Sequence, residues 1–161
     1  SVNNAGGNNN QNNNNQNNTD VNITSGKYSI GTYITGIEPG TGAADFVKNI
    51  AVSASGTVKL LTSSGSENGG KIATGNKVAV YDASGNLKKT YDIVIYGDIN
   101  GDGAVNALDM IKLNRHILGK GTLIGAYLEA ADANRKRDGG NALDMIIMNR
   151  HILGKSKISQ N

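Results

Sequence analysis

Oxygen-bearing side chains occur at alternate positions at the start of the segment from Asp98 to Asp109. Asp98, Asn100 and Asp102 stand at loop positions 1, 3 and 5, Gly103 at position 6, and Asp109 at position 12. This spacing is typical of a calcium-binding loop, here with Asp instead of the usual Glu at the last position. Ca²⁺ takes about six to eight oxygen ligands, and alternating side chains of a tight loop converge on one point. The segment therefore predicts a calcium site.

The rest of this loop fits the same chemistry. Ala104 is expected to contribute its backbone carbonyl, and Asp109, in the first turn of a predicted helix, to close the ligand shell with both carboxylate oxygens. A simpler interpretation makes Asp102-Gly103 a hairpin turn and Asp109 an acid at a helix start. The match at five positions favours the calcium loop.

A second, less regular loop has 13 residues, from Asp132 to Asp144. We interpret Asp138-Gly139 as the middle acid and its glycine, displaced by a basic insertion over residues 135–137. Three cations inside the loop weaken calcium binding electrostatically. We therefore expect two Ca²⁺ sites, of which the first is the stronger; the alternative is a second loop that binds calcium weakly or not at all. The expected side-chain ligands of the second loop are Asp132, Asn134, Asp138 and Asp144.

Each loop leads into a copy of one repeated segment. Residues 106–120 recur as residues 141–155 with 13 of 15 positions identical. The apolar residues of each copy have helical spacing and a glycine follows, so we predict two helices packed as a pseudo-twofold pair. These apolar residues are Leu108, Ile111, Ile117, Leu118, Leu143, Ile146, Ile152 and Leu153. The methionines, Met110, Met145 and Met148, are expected in the core.

The region before the first loop has the pattern of a small β-rich module with one short helix. Strands are predicted from residue 28 towards 37 and over 57–62, 77–81 and 89–96. The helix is predicted over 43–50, with a cap from Thr41. Its expected buried face comprises Ala44, Phe46, Val47 and Ile50. Residues 25–96 contain no histidine, no carboxylate cluster and no glycine-rich phosphate loop, so the sequence predicts no catalytic site there.

The N-terminal segment is of low complexity. The first 20 residues include 11 Asn and 2 Gln, with only Val2 and Ala5 apolar. Such a segment buries too little apolar surface to offset the entropy of ordering. We therefore expect an Asn-rich flexible linker over residues 1–24, a β-rich accessory module over 25–96, and a calcium-binding helical module over 97–158.

The composition excludes several classes of protein. The chain has 161 residues and no cysteine, so disulfides, thiolate zinc sites and cysteine nucleophiles are excluded. No apolar run approaches the roughly 20 residues that span a bilayer. The net charge of +3 is too small and too scattered to indicate a nucleic-acid partner.

The two loops, each followed by one helix, resemble the type I dockerin of cellulosome-like assemblies over about residues 96–158. The resemblance implies a multi-module α+β chain ending in an all-α dockerin of two calcium-loop–helix (F-hand) repeats, with a linking helix near residues 122–131. It implies a protein that is not an enzyme, is a monomer in isolation, and binds the cohesin module of a scaffoldin. The setting it implies is an extracellular bacterial complex for polysaccharide degradation.

The resemblance has two further consequences. Residues 34–40 and 91–97 are similar to small accessory (X-like) modules that precede dockerins, and the C-terminus with Ile158 is expected to return near Tyr96. Partner-binding positions are implied on both helices. They are Ala107, Leu108, Asn114, Arg115, His116, Ala142, Leu143, Asn149, Arg150 and His151. The two histidines are either half-exposed helix positions or cohesin contacts that weaken on protonation.

Two alternative functions remain open at this stage. A paired EF-hand sensor or buffer needs a helix on both sides of each loop, whereas residues 91–96 are predicted as a strand. A carbohydrate-binding role of the β-rich module could use some of the six tyrosines, although the chain lacks tryptophan and most tyrosines lie in strand patterns.

Overall fold

The structure, a computed structural model, describes residues 20–161, so most of the predicted N-terminal linker lies outside the described residues. Strands dominate the first half and helices the second, as the sequence predicts. The strands are β1 Ile23–Thr24, β2 Ser29–Ile30, β3 Tyr33–Thr35, β4 Ala51–Val52, β5 Thr57–Leu61, β6 Lys77–Tyr81 and β7 Leu87–Ile93. The helices are α1 Ala43–Lys48, α2 Ala107–Ile117, α3 Gly125–Ala131 and α4 Ala142–Ile152.

Five strands form one sheet in the order β2-β3-β7-β6-β5. Strands β3 and β7 are parallel, and the other neighbours are antiparallel. The central strand β6 buries Val78, Ala79 and Val80 in succession, which explains its continuous apolar run. The turn between β6 and β7 is closed by Asp82, whose carboxylate accepts the backbone N–H groups of Ser84 and Asn86. The predicted strands at 57–62 and 77–81 are confirmed.

Helix α1 packs Phe46 into the core beside the Tyr28 ring, and Ile50 packs against the same core, but the prediction of Ala44 and Val47 as buried is wrong. Ala44 and Val47 are exposed and Ile50 is half-buried, because the helix turns Ala43 and Phe46 inward and ends at Lys48. The predicted Thr41 cap is also wrong. Gly42 is the N-cap, and the Thr41 hydroxyl donates to the Glu38 carbonyl instead.

Residues 21–24, which the sequence assigns to the linker, belong to the β-rich region. Val21 and Ile23 alternate with exposed residues and are buried, and β1 pairs with β4. The Asn22 backbone N–H also donates to the Ser53 hydroxyl. These two buried apolar side chains offset the entropy of ordering this segment, so the β-rich region begins before residue 25.

Helices α2 and α4 contact each other and have matching caps. Asn106 and Asn141 are the N-caps, and each forms a capping box with the aspartate three residues later. Leu113 and Met148 are fully buried between the helical elements. The expectation that all three methionines lie in the core holds for Met148, whereas Met110 and Met145 are half-buried at its edge.

The rest of the second core joins the two halves of the chain. Val94, Tyr96 and Ile99 lead from β7 into the helical region and pack with α3. The C-terminal segment returns to the same place, as predicted: Ile158 is buried, and the Gln160 amide exchanges two hydrogen bonds with the Tyr96 backbone, at 2.8 and 2.9 Å. The helical region and the sheet therefore share a packed junction.

Candidate metal centre

Asp98 is one of the two fully buried acids of the first loop, with Asp109. Its side chain is fully buried, and its Oδ1 accepts the N–H groups of Gly101 and Asp102 at 2.9 and 3.0 Å. Its Oδ2 accepts the N–H groups of Gly103 at 3.1 Å and of Thr74 at 2.8 Å. The first three donors wrap the loop around the carboxylate, while Thr74 comes from the β-rich region.

Asp109 ties the two ends of the first loop together. Its Oδ1 accepts the N–H groups of Ile99 and Asn100 at 2.8 and 2.9 Å. Its Oδ2 accepts the N–H of Asn106 at 2.9 Å, which is half of the capping box of α2. The residue that closes the loop is therefore fixed by the helix that follows it.

The remaining ligand candidates of the first loop lie together at its outer side. Asn100 donates from Nδ2 to Asp102 at 2.9 Å and accepts the Asp102 backbone N–H at 2.9 Å. The Ala104 N–H donates to Asp102 Oδ1 at 2.9 Å. The five candidates of this loop are thus held by one connected network.

Burial raises the pKa of Asp98 to about 6, and the charge of Asp109 adds to the rise, while the N–H donors of Thr74, Gly103 and Asp102 oppose it. Burial likewise raises the pKa of Asp109 and of Asp144. Within residues 20–161, none of the loop acids forms an ion pair with a basic side chain. The four buried carboxylates, those of Asp98, Asp109, Asp132 and Asp144, therefore have no basic side chain to balance them.

This donor set fits Ca²⁺. Buried carboxylates without a positive partner are costly, and a hard cation with all-oxygen ligands removes that cost. Asp98, Asn100, Asp102, the Ala104 carbonyl and Asp109 would hold the ion in the first loop. The bound ion would supply the positive charge that lets the loop and the start of α2 remain closed.

The second loop follows a different register from the one predicted. Asp132 accepts the N–H of Lys136 on Oδ1 at 3.1 Å and the N–H of Arg137 on Oδ2 at 2.7 Å. Asp98 receives the same pair of bonds from Asp102 and Gly103. Lys136 therefore occupies the place of the middle acid.

The interpretation of Asp138-Gly139 as the displaced acid and glycine is consequently wrong. The backbone angles agree with the new register, since Arg135 and Arg137 have φ of 55° and 58° where Gly101 and Gly103 have 76° and 79°. The extra residue is accommodated after Asp138, by a pair of glycines. Asp138 itself takes the place of Ala104.

Asp138 nevertheless joins the acids of its loop. One carboxylate oxygen each of Asp132, Asp138 and Asp144 lies within 4.8 Å of the other two. Among residues 20–161, this is the one cluster of three such side chains that lie this close together. Asp144 repeats the role of Asp109 by accepting the N–H groups of Asn134 and Asn141, both at 2.9 Å. The second loop thus has the oxygen donors for a cation, with Asp138 supplying a carboxylate where the first loop offers a carbonyl.

The apolar residues of α2 and α4 mostly face solvent. Leu108 and Leu143 are 57% and 60% exposed, and Ile111 and Ile146 are 55% and 56% exposed. The buried side of each helix is taken by its aspartate and by Leu113 or Met148. We call the exposed residues the first apolar face (Leu108, Ile111, Leu118) and the second apolar face (Leu143, Ile146, Leu153).

The other predicted partner-binding residues fall into two groups. Ala107, Asn114 and Arg115 are exposed beside the first apolar face, and their equivalents on α4 are exposed as well. The histidines are half-buried. His116 Nδ1 accepts the Leu123 N–H at 3.3 Å, and His151 Nδ1 accepts the Ile158 N–H at 3.1 Å. Each imidazole therefore holds the segment that follows its helix through one hydrogen bond.

Sequence reasoning missed the two β-region contacts of the first loop. Besides Thr74, Gly40 donates its N–H to the Gly103 carbonyl at 3.0 Å. Both donors are backbone groups of residues far from the loop in sequence, so no local pattern identifies them.

The comparisons with known proteins agree with the helical half. Residues 96–153 match the family model for the dockerin type I domain, which supports a dockerin module in this part of the chain. Such a domain is a non-catalytic, calcium-binding module that docks onto a cohesin. The comparisons with curated proteins and with solved structures give no match. Over residues 20–161, no helix has the length and apolar character needed to cross a bilayer.

Proposed function

We propose that this chain docks its parent protein onto a cohesin of a scaffoldin, within an extracellular bacterial complex that degrades polysaccharides. Calcium bound by both loops would hold α2 and α4 in place for this contact. The family match over residues 96–153 supports docking to a cohesin, and the buried acids of both loops support the calcium dependence.

The observation that carries the proposal is the pair of exposed apolar faces. Large aliphatic side chains that lie together at more than half exposure mark interaction sites on soluble proteins. Basic residues, Arg115 and Lys120 on one helix and Arg150 and Lys155 on the other, lie exposed on the same helices or just after them. The matching cohesin surface would be apolar, with acidic groups at its edge.

The duplication suggests binding in two orientations. A rotation that exchanges α2 with α4 would replace Leu108 by Leu143 and keep the residue type at 13 of 15 equivalent positions. A cohesin that fits one face would nearly fit the other, so the two bound states would have similar free energy. The side chains that differ at equivalent positions are Lys112 and Ile147, and Leu113 and Met148.

A mutant series tests both statements by calorimetry against a panel of purified type I cohesins, with and without EDTA. Leu108→Asp and Leu143→Asp are expected to keep near wild-type affinity singly and to lose binding together. Leu87→Asp is a matched control, because Leu87 is equally exposed but lies in the β-rich region. Loss of binding in one single mutant would refute the two orientations, and binding that EDTA leaves unchanged would refute calcium-dependent docking.

The alternative functions have less support in the described residues. The segment before Asp98 is β7 and a buried extended stretch, so the first loop lacks the incoming helix of a paired EF-hand sensor. Among the six tyrosines, Tyr28, Tyr91 and Tyr96 are buried and the others are half-buried. They do not form an exposed platform for a sugar.

A further inference from the structure

The connection between β5 and β6 lies against the first calcium loop. Thr74, in this connection, is almost fully buried, and its N–H donates to Asp98 Oδ2 at 2.8 Å. The equivalent carboxylate of the second loop, Asp132, receives both of its described donors from its own loop. The β-rich region therefore donates a backbone hydrogen bond to the position-1 aspartate of the first loop, whereas the described donors to Asp132 all come from the second loop itself.

Thr74 is held in place by its own side chain. The hydroxyl donates to the Ile95 carbonyl at 3.2 Å and accepts the Ile95 N–H at 3.1 Å. One hydroxyl thus bonds to both backbone groups of Ile95, just after β7, and the Ile95 carbonyl also accepts the Asp98 N–H at 3.0 Å. The same residue then directs its backbone N–H at the calcium ligand.

The backbones of the two regions also touch at two glycines. A Cβ on Gly103 would lie 2.5 Å from the Ile72 carbonyl oxygen, and a Cβ on Gly101 would lie 2.9 Å from the Thr74 carbonyl oxygen. The equivalent residues of the second loop, Arg135 and Arg137, are exposed. The first loop therefore needs glycine both for its positive φ angles and for the approach of the β-rich region.

We infer that the β-rich region is part of the first calcium site, with Thr74 as the positioning residue for Asp98. A donor that fixes the orientation of a ligand carboxylate typically changes metal affinity by about 10–100-fold. Coupling between two sites is reciprocal. Calcium in the first loop thus stabilises the β-rich region, and calcium in the second loop does not. The inference rests on the proposed function in one respect, that the loops bind calcium.

The first experiment compares equivalent ligands of the two loops. Amide hydrogen exchange is measured for the buried strand residues Val78 and Val80, with Ca²⁺ and with EDTA, in the wild type, Asp98→Asn and Asp132→Asn. Calcium is expected to slow this exchange at least about tenfold in the wild type and Asp132→Asn. It is expected to have no effect in Asp98→Asn. An equal calcium effect in both variants would overturn the inference.

The second experiment tests Thr74 itself. Calcium titrations are followed by the amide signals of Gly103 in the first loop and Arg137 in the second. Thr74→Val, which keeps the shape but removes the hydroxyl, is expected to weaken only the first site, by about tenfold. Thr74→Ser is expected to restore it, and Thr90→Val, at an exposed strand threonine, to leave both sites unchanged. An unchanged first site in Thr74→Val, or an equal loss at both sites, would overturn the assignment.

The two experiments separate the inference from the proposed function. If neither loop of the wild type responds to calcium, both fail. If both loops titrate while Val78 and Val80 exchange at the same rate with and without calcium, only the inference fails. Should Thr74→Val not fold, the comparison of Asp98→Asn with Asp132→Asn still decides the question.

Discussion

The two candidate calcium loops have the same closing aspartate, the same capping box and nearly the same helix, yet they differ in their surroundings. The β-rich region covers the first loop, which has small residues at both left-handed positions. The second loop has Arg135 and Arg137 at those positions, and both are exposed. Contact with the β-rich region thus restricts the first loop to glycine at these two positions, whereas the second loop has arginines with positive φ there.

Removal of calcium gives the largest expected effect on both loops. Chelation is expected to abolish most of the helical signal of α2 and α4, because buried acids without a cation then repel one another and binding energy is folding energy. The sheet is expected to remain folded but to exchange its amides faster. Circular dichroism and amide NMR spectra with and without EDTA measure this, and unchanged spectra would contradict it.

Removal of one position-1 aspartate compares the loops directly. Asp98→Ala leaves four backbone N–H groups without their acceptor, and Asp132→Ala leaves two. Thr74 and Gly103 are buried, whereas Lys136 and Arg137 are exposed. Since an unsatisfied buried donor costs about 1–3 kcal/mol, the first change should reduce the free energy of unfolding by several kcal/mol and the second by less. Calorimetry at limiting Ca²⁺ measures the difference. Equal or reversed losses would show that the regular, covered loop is not the stronger one.

Substitution of the residues with positive φ tests the steric part of the comparison. Gly103→Ala should destabilise the protein by about 2 kcal/mol or more, because the φ is positive and the new Cβ meets the Ile72 carbonyl. Arg137→Gly should stabilise it by about 0.5–1 kcal/mol, since the relief of a left-handed residue exceeds the added entropy of glycine. Thermal unfolding of both variants checks this, and a destabilised Arg137→Gly would contradict it.

The first loop could be predicted from sequence because its ligands lie within one short segment. The register of the second loop could not be predicted. Asp138-Gly139 matches the expected acid and glycine in residue type, whereas the backbone N–H groups of Lys136 and Arg137 are the ones that donate to Asp132. Nothing in the composition of residues 132–144 distinguishes the two registers. The difference is set by which N–H groups reach Asp132.

Helical spacing identified both repeated helices but not which side is buried. The buried side of α2 has Asp109, a candidate calcium ligand, and the apolar Leu113. The more apolar stripe, which begins at Leu108, is therefore the exposed one. Thr74 could not be found by any local pattern either, since its contact with Asp98 depends on how the sheet packs against the loop.

The last expected effect is confined to one site and concerns the charge at the middle position of the second loop. Lys136→Asp restores an acid where the first loop has Asp102, and it replaces a positive charge beside the ion by a negative one. The change should raise the calcium affinity of the second site about tenfold, a factor equivalent to about 1.4 kcal/mol. Lys155→Asp is the control, since it makes the same change of charge on an exposed residue after α4. Calorimetric titration in the Asp98→Asn background isolates the second site. If both substitutions raise the affinity equally, net charge and not position 136 sets the difference between the loops.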